Sequence, residues 1–159
     1  MNTTIDRDRD EALCDSLMGI MSRLRGYAPR GFEGGDGELL SREADRFVGR
    51  VARHLRYAHR ILFPAFRELE SNSTPDLERL EEEHRLLRLA ARDLGLQIRN
   101  LDKEQAYDVS RSLLAVLLDH LRRETEDIDR FVHSLDVSNS GRLARALVAS
   151  HSSDDRARS

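Results

Sequence analysis

Apolar residues recur every three or four positions along most of the chain, and no stretch alternates with period two for long enough to suggest a sheet. The spacing predicts a first helix from about Asp8 to Arg25, with Leu13, Leu17, Ile20, Met21 and Leu24 on one face. Two glycine-rich segments, Gly26 to Gly31 and Gly34 to Gly37, then read as a connector. No Lys-Ser/Thr pair follows them, so they do not form a phosphate-binding loop. A second helix is expected from about Glu38 to Leu69, its stripe formed by Ala44, Phe47, Val51, Leu55, Ala58, Leu62, Ala65 and Leu69. Pro64 should kink it or end its regular part, because proline removes a backbone donor and clashes with the preceding turn.

Ser71 to Asp76 marks a stop and a restart, with Thr74 expected as N-cap, Pro75 at the first helical position and Asp76 at the positive helix end. The third helix carries Leu77, Leu80, His84, Leu87, Ala91, Leu94 and Ile98. A break near Asn100 leads to a fourth helix, about Lys103 to Leu135, with Ala106, Val109, Leu113, Val116, Leu117, His120, Glu124, Phe131 and Leu135 on its stripe. Beyond it we expect a short helical turn over Arg142–Ala149 and a flexible, disordered C-terminal tail from Ser150 to Ser159. The fold class is therefore all-α: an antiparallel up-down-up-down four-helix bundle over residues 1–137, followed by the tail region 138–159.

Composition narrows the function classes. The chain has 159 residues, a length suited to one domain, and its 26 basic and 29 acidic residues leave a net charge of −3. That balance argues against nucleic acid as a partner, which would call for a concentrated basic excess. Lys103 is the only lysine, and the arginines are spread along the whole chain, as a GC-rich bacterial coding sequence would produce. A single cysteine, Cys14, excludes an intrachain disulfide and fits a reducing compartment. The charged N-terminus does not read as a secretory signal, and the longest aliphatic run, Leu113 to Leu118, is far short of a membrane span. A cytoplasmic protein without membrane association is expected.

The positions that break the apolar pattern carry the chemistry. His84 lies at the centre of the third stripe, and His54 lies at the edge of the second. His120 and Glu124 are four residues apart in the fourth stripe, roughly 40° around a helix. Burying a carboxylate with three imidazoles costs several kcal/mol unless they are paired, hydrogen-bonded or bound to a metal. Two readings stay open: hydrogen-bonded core histidines with Glu124 ion-paired to one of them, or ligands to a transition metal. Two histidines and a carboxylate suit non-haem Fe(II), and a third histidine would also suit Zn(II).

These segments resemble a known family. His54-Leu55-Arg56-Tyr57-Ala58-His59-Arg60-Ile61-Leu62-Phe63-Pro64 is similar to the second-helix signature of hemerythrin-like (HHE) domains, HxxxEExxLFP. Glu83-His84-Arg85-Leu86-Leu87 resembles their third-helix histidine segment, and His120-Leu121-Arg122-Arg123-Glu124 their HxxxE. The resemblance covers about residues 10 to 135 and implies a bundle holding two non-haem irons, used in dioxygen binding, redox or nitric-oxide response, or iron handling. It makes His54, His84, His120 and Glu124 metal ligands. The family's bridging carboxylate falls at Ala58, its first-helix histidine at Cys14, and a further histidine of its diiron members at Arg88, a cation opposing metal charge. The resemblance thus leaves one pocket with His84, His120 and Glu124, and a depleted one served by Cys14 and His54. His59, five residues after His54, and Cys14 as a thiolate are weaker candidate ligands.

Two functions follow. In the first, a divergent hemerythrin-like protein holds non-haem iron, mononuclear, or zinc, and serves as a dioxygen, nitric-oxide or redox sensor or in iron handling, with a small diatomic ligand. In the second, no metal is bound and the bundle acts as a regulatory or structural module for a protein partner. A vacated pocket near Ala58 taking a small apolar ligand ranks last. No general acid or nucleophile is evident, so an enzyme is the less favoured reading. Tyr57 and Tyr107 read as packing residues, and the run Glu81-Glu82-Glu83 as a solvated face.

Overall fold

The computed structural model describes residues 4–27, 34–69, 75–100 and 102–145, with the side chains of residues 4–9 and Tyr27 left out. Among the described residues the main helices follow in the order α1 (Thr4–Tyr27), α2 (Asp36–Tyr57), α3 (Phe63–Glu68), α4 (Leu77–Arg99) and α5 (Lys103–Ser134). No strand occurs among the described residues. The helix α1 packs on α2 and α5, and α4 packs on the same two from the opposite side, which closes the four-helix ring. A further helical segment is described over 137–145; it begins ahead of the expected 142–149, of which 146–149 lie outside the described residues. The tail from Ser150 lies outside the described residues.

Local chemistry accounts for the boundaries. Gly35, at φ 57°, supplies the left-handed turn that opens α2. Asp76, not Thr74, caps α4 by accepting from the Arg79 backbone N–H at 3.1 Å. Thr74 lies outside the described residues, while Pro75 is buried just before the cap. Asp102 caps α5 in the same way, accepting from Gln105 N–H at 2.9 Å.

Of the two outcomes expected at Pro64, a kink or the end of the regular helix, the second is seen: α2 ends at Tyr57 and a widened turn follows, ahead of the proline. Residues Ala58–Leu62 form a π turn joining α2 to α3, in which Phe63 donates its backbone N–H to the Ala58 carbonyl, five residues back. Pro64 falls in the first turn of α3, where a missing N–H is least costly. Helical dihedrals persist through both junctions, so the rod continues through the π turn.

The core divides into two apolar clusters. One joins α1, α2, α4 and α5 and runs from Leu13 to Leu121, with Phe47, Leu87, Leu94 and Leu117 among its members. The other comprises Ala58, Leu62, Phe63, Ala65, Phe66 and Leu69 with Leu80, Phe131 and Leu143, the last from segment 137–145. The changeover occurs between Leu55 and Ala58, between Leu80 and Leu87, and between Leu121 and Phe131. His54, His84 and Glu124 lie in or beside those gaps, so a polar layer separates the clusters. Val116, placed on the buried stripe by periodicity, is instead 50% exposed.

Candidate metal centre

The polar layer draws together His54 from α2, His84 from α4, and His120 and Glu124 from α5. Each offers one ligand atom, and all four atoms lie within 4.8 Å of one another. His84 and His120 are fully buried, and Glu124 is 4% exposed. The three imidazoles meet through their Nε2 atoms: His84 to His120 at 3.2 Å, and His54 to His120 at 3.4 Å. Glu124 Oε2 lies 3.2 Å from His54 Nε2 and 3.7 Å from His120 Nε2, and its Oε1 lies 3.7 Å from His84 Nε2.

Outside this set, a second ring of carboxylates orients the imidazoles. His120 donates Nδ1–H to Glu83 Oε2 at 2.8 Å, and His54 Nδ1 faces Asp10 Oδ1 at 3.5 Å. Among the described residues His84 has no such partner: its Nδ1 is buried and unbonded, and the ring stacks on Phe63, centroids 5.3 Å apart and planes 13° from parallel. Sequence reasoning missed both carboxylates. Glu83 sits in what reads as a solvated run, and Asp10 in the charged N-terminal stretch.

Protonation follows from these contacts. Burial opposes charge on His54, but the hydrogen bonds to Asp10 and Glu124 outweigh it and push the pKa up to about 10. His84 and His120 are shifted the other way, chiefly by burial and also by neighbouring imidazoles, and stay neutral at pH 7. Burial works against the Glu124 carboxylate, yet its histidine contacts prevail and hold it well below the ordinary range. Metal-free, the layer is an imidazolium–carboxylate pair beside two neutral imidazoles.

The residues present fit a transition metal. Two imidazole nitrogens bound to one ion at about 2.0–2.1 Å, at angles of roughly 90–110°, are about 2.9–3.4 Å apart. The observed 3.2 and 3.4 Å fall in that range. Glu124 Oε1 is also buried with no hydrogen-bond partner among the described residues, an acceptor that a cation would satisfy.

One expectation is corrected, and the other candidate positions fall around the cluster. His54 does not belong to a separate pocket with Cys14 but meets His84, His120 and Glu124. Cys14 stays outside the cluster, packed against the first apolar cluster, and its thiol is pushed up by burial and by Asp10 and Asp15. His59 is exposed and also outside the cluster, its ring beside Phe63 (4.8 Å) and His84 (5.4 Å). Arg88 is exposed, so it brings no buried cation to oppose a metal. Ala58 is buried in the π turn and offers no ligand.

No helix among the described residues is long and apolar enough to cross a membrane. Neither the curated proteins nor the solved structures compared with the chain include a match to it. The family model of the hemerythrin HHE cation-binding domain matches residues 15–130, a span containing all four residues of the cluster. The chain belongs to the hemerythrin HHE cation-binding domain family.

Proposed function

We propose that this protein binds one non-haem iron ion through Nε2 of His54, His84 and His120 and the carboxylate of Glu124. The observation that supports this most directly is the gathering of three imidazoles and one buried carboxylate whose ligand atoms all lie within 4.8 Å of one another. Ala58 and Cys14 supply no further ligands, which favours a mononuclear centre over a diiron one. Four protein ligands leave iron with open positions, so the chemistry a bound iron supplies is reversible coordination of a small diatomic such as dioxygen or nitric oxide. The chain's own part is to fix the ligands, exclude bulk water by burial and hold one proton on His54 when no metal is bound. We assign it a sensing or iron-handling role in the cytoplasm, with no turnover of an organic substrate.

Elemental analysis of the purified protein, as isolated and after anaerobic Fe(II) loading, tests the reading. About one iron per chain, lost in His84→Ala, is the expected result. Near two irons with oxo-bridge absorption would overturn the mononuclear centre, and stoichiometric zinc would reassign the metal. No stoichiometric metal under either condition would leave a metal-free module for a protein partner.

A further inference from the structure

Glu83 precedes His84 in sequence but serves a histidine on another helix. Its neighbours Glu81 and Glu82 pair with the exposed Arg67 (2.7 Å) and Arg85 (2.6 Å), as solvated charges do. Glu83 instead turns toward α5, and the two oxygens of its carboxylate have different partners. Oε1 takes Arg79 at 2.9 Å and Arg123 at 3.1 Å, while Oε2 takes His120 Nδ1 at 2.8 Å. Arg79 is itself anchored to the buried Asp127 Oδ2 at 2.6 Å, and Asp127 also pairs with Arg130.

An ionised carboxylate only accepts hydrogen bonds, so the His120 proton must lie on Nδ1. That leaves the Nε2 lone pair directed at His84, His54 and Glu124. The two arginines occupy Oε1 and keep Glu83 from swinging inward as a fifth ligand. We infer that Glu83 is a positioning residue of the centre: it holds His120 in its Nδ1–H form so that Nε2 presents a lone pair to a cation. This rests on the metal-binding reading above. Among the three histidines, His120 is the tightly oriented one, since Asp10 stands at 3.5 Å from His54 and His84 Nδ1 has no partner.

The test compares the full-length chain with Glu83→Ala, Glu83→Gln and the control Glu82→Ala, using Co(II) and anaerobic Fe(II) as probes. Nitrogen-15 NMR of the metal-free proteins reads the His120 tautomer, which a merely structural ion pair would not set. Loss of an outer-shell partner weakens metal binding by about 10–100-fold. Glu83→Ala should show the upper part of that range together with a mixed His120 tautomer. Glu83→Gln keeps an accepting oxygen and the side-chain size, so it should retain the Nδ1–H form and lose only about tenfold. Glu82→Ala should match the parent chain. A parent that binds metal while Glu83→Gln, or a folded Glu83→Ala, binds it equally well would overturn the positioning role alone. A parent that binds neither Co(II) nor Fe(II) would overturn the metal reading with it.

Discussion

Glu124 lies one helical turn after His120 on α5, yet its closest histidine is His54 from α2, at 3.2 Å against 3.7 Å. The carboxylate therefore closes the ring between two helices instead of folding back on its own. In the metal-free chain the pair is an ion pair, with His54 charged by its contacts to Asp10 and Glu124.

Removing one partner of such a pair strands the other. Glu124→Gln should lower the His54 pKa below about 10, followed by the His54 ring proton shifts in an NMR titration. It should destabilise the metal-free protein at pH 7 by about 3 kcal/mol in denaturant melts. The loss should shrink above pH 9, where His54 of the variant is already neutral. An unchanged His54 titration would place its stabilisation on Asp10 alone.

Stability of the metal-free protein should peak in pH. The folded pKa of His54, about 10, exceeds its unfolded value of 6.5. Its contribution is full below pH 6.5 and disappears as pH rises toward 10, at up to about 1.4 kcal/mol per pH unit. His84 and His120 have lowered folded pKa values, so their contribution is present above 6.5 and declines as pH falls through and below that value. The two trends give a maximum near pH 6.5, measurable as urea midpoints across pH 5–9. Stability still rising from pH 7 to 9 would contradict a charged His54.

Metal uptake should release a proton. His54 must surrender its proton to coordinate, whereas His84 and His120 are already neutral. Calorimetric titration with Zn(II) in buffers of different ionisation enthalpy should report about one proton per ion at pH 7–9. Apparent affinity should climb about tenfold per pH unit over that interval. Release of no proton would mean that His54 is neutral before binding.

Two phenylalanines of the same cluster separate packing from ligand support. Phe63 and Phe131 are both fully buried, but Phe63 stacks on His84. Each change to alanine should cost about 3–5 kcal/mol in stability. Only Phe63→Ala should also weaken Co(II) binding, since no described residue hydrogen-bonds His84 Nδ1 to keep its ring in place. Equal Co(II) affinities in the two folded variants would remove the stack as a support.

Cys14 should prove dispensable for the metal. Its thiol is raised in pKa by burial and by Asp10 and Asp15 and stands apart from the cluster. Iodoacetamide should modify it slowly at pH 7.5, and Cys14→Ser should keep the parent's metal content. Loss of metal in Cys14→Ser would make the thiol a ligand after all.

The helices and the four clustered residues were legible because each depends on spacing along one helix. His84, His120 and Glu124 interrupt apolar stripes, and a polar residue there must find partners wherever the helix packs. Glu83 was not legible, because only the approach of His120 from α5 distinguishes it from Glu81 and Glu82. Asp10 lay hidden in the same way among the N-terminal charges. Pro64 announced a disturbance of the second helix, but its form, a π turn over Ala58–Leu62, has no signal in the apolar spacing. Val116 shows the converse: its spacing matches the stripe, but the neighbours do not cover that side of α5.

The polar layer between the two apolar clusters also decides how the helices align along the bundle axis. Leucine-rich faces alone tolerate sliding, since one leucine replaces another a turn away. Here a slip of one turn, about 5.4 Å, would drive His84 or Glu124 into a purely apolar cluster and leave its partners stranded. Like a single buried asparagine in a coiled coil, the layer acts as a detent that makes one axial alignment much better than its neighbours. It does so with or without an ion, so the same four side chains can specify the fold before they serve any ligand.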